Sequence, residues 1–419
     1  MTTLNDAQIT AKCVEISKCL VDTKSGFVDF DLRNSCGIGD AARLAVSIRL
    51  AGEIDEETLA GISAALKLDF RLVRSEILST YEGLGWASVN KKNRIITEHI
   101  PPTEDIISQL GRLWREQEPT PVDEATVNGL QFLSKSPFEK TALLSELGVA
   151  QQKFDAFLDY GVQAHYLGQF TSKDQKETIW TPLYWAGKEE QVRKFLEKQS
   201  EKEFPRLASL TRSFRDYPGT PEEKVPNDPL VDAGISYGYF PSIAITDRRQ
   251  GKHEYVFAST PQFEVDPKKD IFEKARLIVA CIRHGQHHAE VSPILYPRSI
   301  LNCMRHNSMK PHPYADVQYA LLKLHGMVTL EAGANRYGAA VKVKWIDTPE
   351  NNLAADIADE LLRGEEPVVR SKEELEAKKV FVKGMVNYSS EQRRIRAADD
   401  IHAKNEFNRL LESVAGVRR

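Results

Sequence analysis

The chain has 419 residues, too many for one ordinary domain, and its net charge of −4 excludes a protein coated in positive charge for indiscriminate DNA binding. An apolar share of 41% and a charged share of 28% suit several small helical domains with much surface. Five cysteines, no basic-then-apolar leader after Met1 and no apolar run of membrane-spanning length lead to the expectation of a reducing, cytoplasmic setting, with free thiols and no membrane contact.

In chain order, Ile9, Cys13, Ile16 and Leu20 recur at helical spacing, which predicts a helix over 8–22. Residues 29–39 read as a loop, with Asp40 capping a helix through Leu44, Val46 and Ile48. A fuller pattern follows. Asp55 caps a helix holding Leu59, Ile62 and Leu66, and Asp69 caps a second holding Leu72, Val73, Ile77 and Leu78. Residues 86–89 and 94–97 then flank the polar tip Asn90-Lys91-Lys92-Asn93 as a hairpin.

The order repeats from Asp123. A helix carries Val127, Leu130 and Leu133, a short one carries Leu143, Leu144 and Leu147, and Gly148 turns the chain. A further helix holds Phe154, Phe157 and Leu158, and 164–170 and 178–185 flank a tip at 173–176. A charged helix is predicted over roughly 189–215. Residues 216–239 are rich in Pro, Gly and Asp and read as a linker. A hairpin then has a basic tip at Arg248, Arg249 and Lys252.

The third copy starts at Phe272. Its first helix runs through Leu277 and Ile282, and a short one runs from Pro297 or Arg298 through Met304. A longer one, opened by Pro311 or Pro313, runs to Gly326. Residues 327–330 and 339–343 flank a glycine-rich tip at 332–338, and helical tail segments follow Ser371 and Ser389 or Ser390. The predicted organisation is 1–118, 119–216, a linker at 217–239, 240–366, and a mildly basic tail at 367–419.

With those residues in place, Asp55–Ile100, Asp123–Trp185 and Phe272–Val343 are similar to the winged helix-turn-helix superfamily, over about half the chain. The resemblance is to the fold and to no particular family. It implies an α+β, predominantly helical protein of tandem winged helix-turn-helix domains with small β-hairpin wings. It further implies that the second helix of a pair enters a major groove while the wing touches phosphates or a neighbouring groove. Double-stranded DNA is then the expected partner, in transcription, replication initiation or antiviral defence of a genome. Winged helices also dock proteins, so an adaptor subunit in a larger complex is the alternative.

The side chains suited to DNA contact are Arg71 and Arg74 on the second helix of the first copy, and Lys91, Lys92 and Arg94 on its wing. Arg248 and Arg249, Lys310, and Arg336 on the last wing complete the set. The second copy offers Gln151, Gln152 and Lys153 beside Asp155 and Asp159, a mixture better suited to protein. The tail adds Arg393, Arg394, Arg396, Arg418 and Arg419.

Cys281-Ile282-Arg283-His284 and Cys303-Met304-Arg305-His306 repeat one spacing, and two such pairs can supply a tetrahedral zinc site. Cys281 also continues the apolar stripe of Leu277 and Ile278, which favours a buried thiol beside surface histidines, so no metal is expected. No phosphate loop, dinucleotide turn or nucleophile elbow is present; Gly37-Ile38-Gly39 is too short for one. The reading is therefore non-enzymatic, with no cofactor and no small-molecule substrate.

Overall fold

The computed structural model describes residues 4–20, 31–49, 51–90, 92, 94–185, 187–225, 228–247, 251–259, 271–289, 293–336 and 338–364. It is mostly helical with small antiparallel sheets, an α+β protein. Among the described residues no helix is long and apolar enough to cross a membrane. The predicted tail, with Arg393, Arg394, Arg396, Arg418 and Arg419, lies outside the described residues.

Helices α1 (Asp6–Leu20) and α2 (Arg33–Ile48) pack face to face. The expected loop before Asp40 is the first half of α2 instead. Packing explains the difference. A Cβ on Gly39 would sit 2.2 Å from the carbonyl oxygen of Cys13, so the missing side chain is what lets the two backbones close. Burial of Ile38, Ala41 and Leu44 then outweighs the weak helix preference of the sequence before them.

Four elements follow in the expected order. They are β1 (Glu53–Asp55), α3 (Glu56–Ala65), a second helical run, and the hairpin β2 (Ala87–Asn90) and β3 (Ile95–Glu98). The second run joins α4 (Phe70–Leu72), a π-helical turn (Val73–Ile77) and α5 (Leu78–Gly83). Asp55 and Asp69 cap as expected, each accepting a backbone N–H at 2.8 Å, from Thr58 and Arg71. Strand β3 lies between β1 and β2. Leu59, Ile62, Val73, Tyr81 and Ile96 close the core beneath.

After α6 (Thr103–Glu116) the same order returns. It comprises α7 (Pro121–Leu133), β4 (Phe138–Glu139), α8 (Lys140–Leu147), α9 (Gln151–Gln163), β5 (Gly168–Thr171) and β6 (Glu177–Trp180). Strand β6 is central. Thr120 caps α7, and Asp123 is buried. Gly148 takes the left-handed conformation at the end of α8 (φ 63°), where a side chain is strained.

The predicted charged helix over 189–215 is two helices, α10 (Glu189–Leu196) and α11 (Phe204–Asp216). A capping box between Ser200 and Glu203 restarts the chain between them. The expected linker is also structured. Strand β7 (Thr220–Pro221), a 3-10 turn (Glu222–Lys224) and α12 (Pro229–Ser236) precede β8 (Ser242–Thr246) and β9 (Lys252–Val256), with β9 central. Here Pro221 ends β7 and Pro229 begins α12, and Leu230, Val231, Tyr239 and Phe240 are buried. This stretch repeats the strand order of the first two sheets. The sequence pattern missed it because its first inserted helix has shrunk to the 3-10 turn.

The C-terminal part holds α13 (Ile271–His287), α14 (Pro297–Arg305), α15 (Ala315–Gln318), α16 (Ala320–Leu324), the hairpin β10 (Val328–Asn335) and β11 (Gly338–Trp345), and α17 (Pro349–Arg363). The single long helix expected before Gly326 is two short ones meeting at Tyr319, and neither Pro311 nor Pro313 opens it. His312 instead bridges to Val341. The hairpin is longer than predicted, because the small residues 332–334 and 338–340 continue its pairing. Two apolar cores result. They meet at the end of β9, where Val256 faces the first and Tyr255, with Phe257 just after the strand, faces the second.

Candidate functional site

The first unit exposes Arg71, Arg74, Lys92 and Arg94 on its second helix and its wing. Arg71 projects from the start of the second helix with 92% of its side chain exposed and Asp69 at 3.6 Å. Arg74 sits in the π-helical turn, a distortion often found at functional positions. Arg74 and Arg94 both reach Glu56, at 3.0 and 2.9 Å, so one carboxylate fastens the helix to the wing. Lys92 is exposed at the hairpin turn, where its backbone N–H donates to Asn90 Oδ1 at 3.0 Å. Lys91 lies outside the described residues. Arg94 takes φ 56° and Gln175 of the next hairpin takes φ 61°. Both follow from the turn geometry, so that conformation marks no site.

In the second unit Lys173 is exposed at the wing tip, but Lys140 and Lys176 are paired. Lys140 pairs with Glu177 at 3.1 Å, Lys176 with Glu201 at 2.5 Å, and Glu139 also lies near Lys176. On α9, Gln151 donates to Asp155 at 2.8 Å, and Asp159 is exposed.

In the C-terminal part Lys310 and Arg336 are both exposed, the latter at the end of the long hairpin. Asn335 donates to the carbonyl of Pro311 at 3.3 Å, which brings the hairpin tip against the segment carrying Lys310. Arg248 and Arg249 lie outside the described residues, and Lys252 pairs with Glu254 at 3.3 Å. Gln318 is buried and donates to the carbonyl of Cys281 at 3.2 Å, so it belongs to the core rather than to a binding face.

The two Cys-x-Arg-His motifs do not converge. Cys281 is buried in the second core, and burial pushes its thiol up to about 12. His284 is buried as well, against the expectation of surface histidines, with Nδ1 2.9 Å from the Tyr255 hydroxyl. Cys303 is half-buried on α14, and exposed His306 turns Nδ1 to the carbonyl of Asn302 at 2.9 Å.

A different histidine cluster forms where β9 meets the end of α13. The rings of His253 and His288 are 3.8 Å apart, and His284 stacks 5.5 Å from His288. Nδ1 of His253 lies 3.0 Å from Glu223 and its Nε2 lies 3.2 Å from Asp247. Burial opposes a charge on His253, but its bonds to Glu223 and Asp247 prevail and raise its pKa. Burial lowers His284 to about 4, assisted by His288 and His253. Burial also lowers His287 to about 4, assisted by Lys224, and it lowers His288. One hint of this cluster is present in the chain itself, the nearness of His287 and His288 to a Cys-x-Arg-His motif. Glu223 and His253 were invisible as partners because Glu223 lay in the supposed linker.

Comparison with family models, with curated proteins and with solved structures finds no match to this chain.

Proposed function

We propose that the chain is a double-stranded DNA-binding protein whose repeated units are tandem winged helix-turn-helix modules. One observation carries the reading. Three times a short strand, two inserted helical elements and a hairpin assemble a sheet in which the last strand lies between the first and second. That arrangement displays one helix and one hairpin side by side, as groove-reading modules do. The first unit adds the chemistry, with Arg71 and Arg74 on the helix and Lys92 and Arg94 on the wing. Arg336 and Lys310 form a second cationic point on the long hairpin and beside it. The role assigned is binding, without catalysis.

The pairing of Lys140 and Lys176 with carboxylates of the same region favours a second role for the second unit, docking a protein partner. The test is fluorescence anisotropy of a generic duplex with the full chain at two salt concentrations. Binding is expected, weakening as salt rises, and Arg336→Glu should weaken it and flatten the salt dependence by about one unit of slope. Absence of duplex affinity at low salt would leave only the adaptor reading.

A further inference from the structure

Among the described residues, Glu223, His253 and His288 bring one oxygen and two nitrogen atoms within 4.8 Å of one another. The residues come from three elements. Glu223 lies on the 3-10 turn after β7, His253 on β9, and His288 directly after α13. Glu223 Oε1 is 3.0 Å from His253 Nδ1, and Glu223 Oε2 is 3.6 Å from His288 Nε2. In a tetrahedral zinc site, with bonds of about 2.0–2.2 Å, ligand atoms stand roughly 3.3–3.6 Å apart. Glu223 therefore stands near coordinating spacing from each imidazole, and the two rings, 3.8 Å apart at their centres, must turn their nitrogens toward a common point to take an ion.

Two details go beyond an ordinary ion-pair cluster. Among the described residues, the buried His288 Nε2 has no hydrogen-bond partner; Glu223 faces it from a distance too long for a hydrogen bond. A buried imidazole nitrogen left open toward a carboxylate lacks what a cation would supply. His253 also has the support that metal-bound histidines usually have, its other nitrogen held by a carboxylate, Asp247, at 3.2 Å. Asp247 is itself fixed, accepting the backbone N–H of Gly251 at 2.8 Å. A Cβ at Gly251 would stand 2.9 Å from the Asp247 carboxylate, so glycine leaves room for this support.

We propose that Glu223, His253 and His288 bind a divalent transition-metal ion, best matched by Zn²⁺, with Asp247 orienting His253. Two imidazoles select against Mg²⁺ and Ca²⁺, which take oxygen ligands. Three protein ligands leave a fourth position for water or a partner's side chain. The ion ties the sheet of β7, β8 and β9 to the end of α13, beside the strand where the two apolar cores meet. It is distinct from the Cys281, His284, Cys303 and His306 set and independent of DNA binding.

Isothermal titration of chelator-stripped full-length protein with ZnCl₂, and separately with MgCl₂, tests the proposal. One equivalent of Zn²⁺ and no Mg²⁺ is expected, with a rise in Tm on adding Zn²⁺. His288→Ala and Glu223→Gln should each weaken Zn²⁺ binding at least tenfold and abolish the Tm rise. Asp247→Asn, which removes support without removing a ligand, should weaken it by about 10–100-fold. Glu223 is half exposed, so Glu223→Gln keeps the fold should His288→Ala lose it. Bound Co²⁺ should absorb in the visible without a thiolate charge-transfer band. No stoichiometric Zn²⁺ uptake by folded wild type, wild-type affinity in folded Glu223→Gln, or a thiolate band from Co²⁺ would each overturn the proposal.

Discussion

The units at 33–98 and 121–180 share element order and strand order but not surface chemistry. In the first, Arg71 and Lys92 project into solvent and one carboxylate, Glu56, holds Arg74 and Arg94 together. In the second, Lys140 and Lys176 are joined to glutamates, and Asp155 and Asp159 occupy α9. The apolar positions that build the unit, such as Leu59 and Leu143 on equivalent helices, are buried in both. The fold thus resides in positions the two units share, and the DNA contact proposed above would reside in those they do not.

The largest expected effect tests the shared half of that statement. Leu59→Ala and Leu143→Ala should each destabilise the protein by about 2–5 kcal/mol, since each leaves a cavity in a closed core. Urea midpoints check this. A cost confined to one variant would mean that the units are not built alike.

A second prediction concerns the joint between the units. Asp123 of α7 is buried and accepts the N–H of Ser35 in α2 at 3.1 Å, while its other oxygen has no hydrogen-bond partner among the described residues. Burial raises its carboxyl to about 6, against the lowering effect of bonds from Ser35. The folded chain therefore keeps a proton that the unfolded chain releases near pH 4. This contribution to stability is full below about pH 4 and is lost as pH rises through 6, by on the order of 3 kcal/mol. In Asp123→Asn the fall between pH 4 and 7 should flatten by that amount in denaturant titrations. An unchanged slope would show that the joint does not titrate.

The smallest effect is at Glu56. Glu56→Gln should cost under about 1 kcal/mol of stability, because its ion pairs are at the surface. It should also tighten duplex binding a few-fold by releasing Arg74 and Arg94. Weaker binding would mean that Glu56 positions these arginines rather than competing for them.

What could be read from the sequence divides along the same line. Apolar periodicity and capping residues located both inserted helices of the first two units, and Asp55 and Asp69 cap as the pattern implied. The strands β1 and β4 were not legible, since two or three residues carry no alternation. The start of α2 was hidden because Gly39 gains its value from Cys13, a neighbour in space. Residues 217–239 misled because proline-rich composition resembles a linker even where Leu230, Tyr239 and Phe240 fill a core. The cations at Arg71 and Lys92 were legible as residue types, but the carboxylates facing the others depend on folded distances. His253 and His288 belong to separate elements, and nothing in their spacing links them.

The most direct measurement of the central claim compares charge reversals in the two units. Duplex affinity is followed across salt for wild type, for Arg71→Glu with Lys92→Glu, and for Lys153→Glu with Lys173→Glu. The first pair should weaken binding and lower the salt slope by about two, one for each phosphate no longer neutralised, while the second pair should leave both near wild type. Equal weakening by the two pairs, or unchanged binding in the first, would contradict the account.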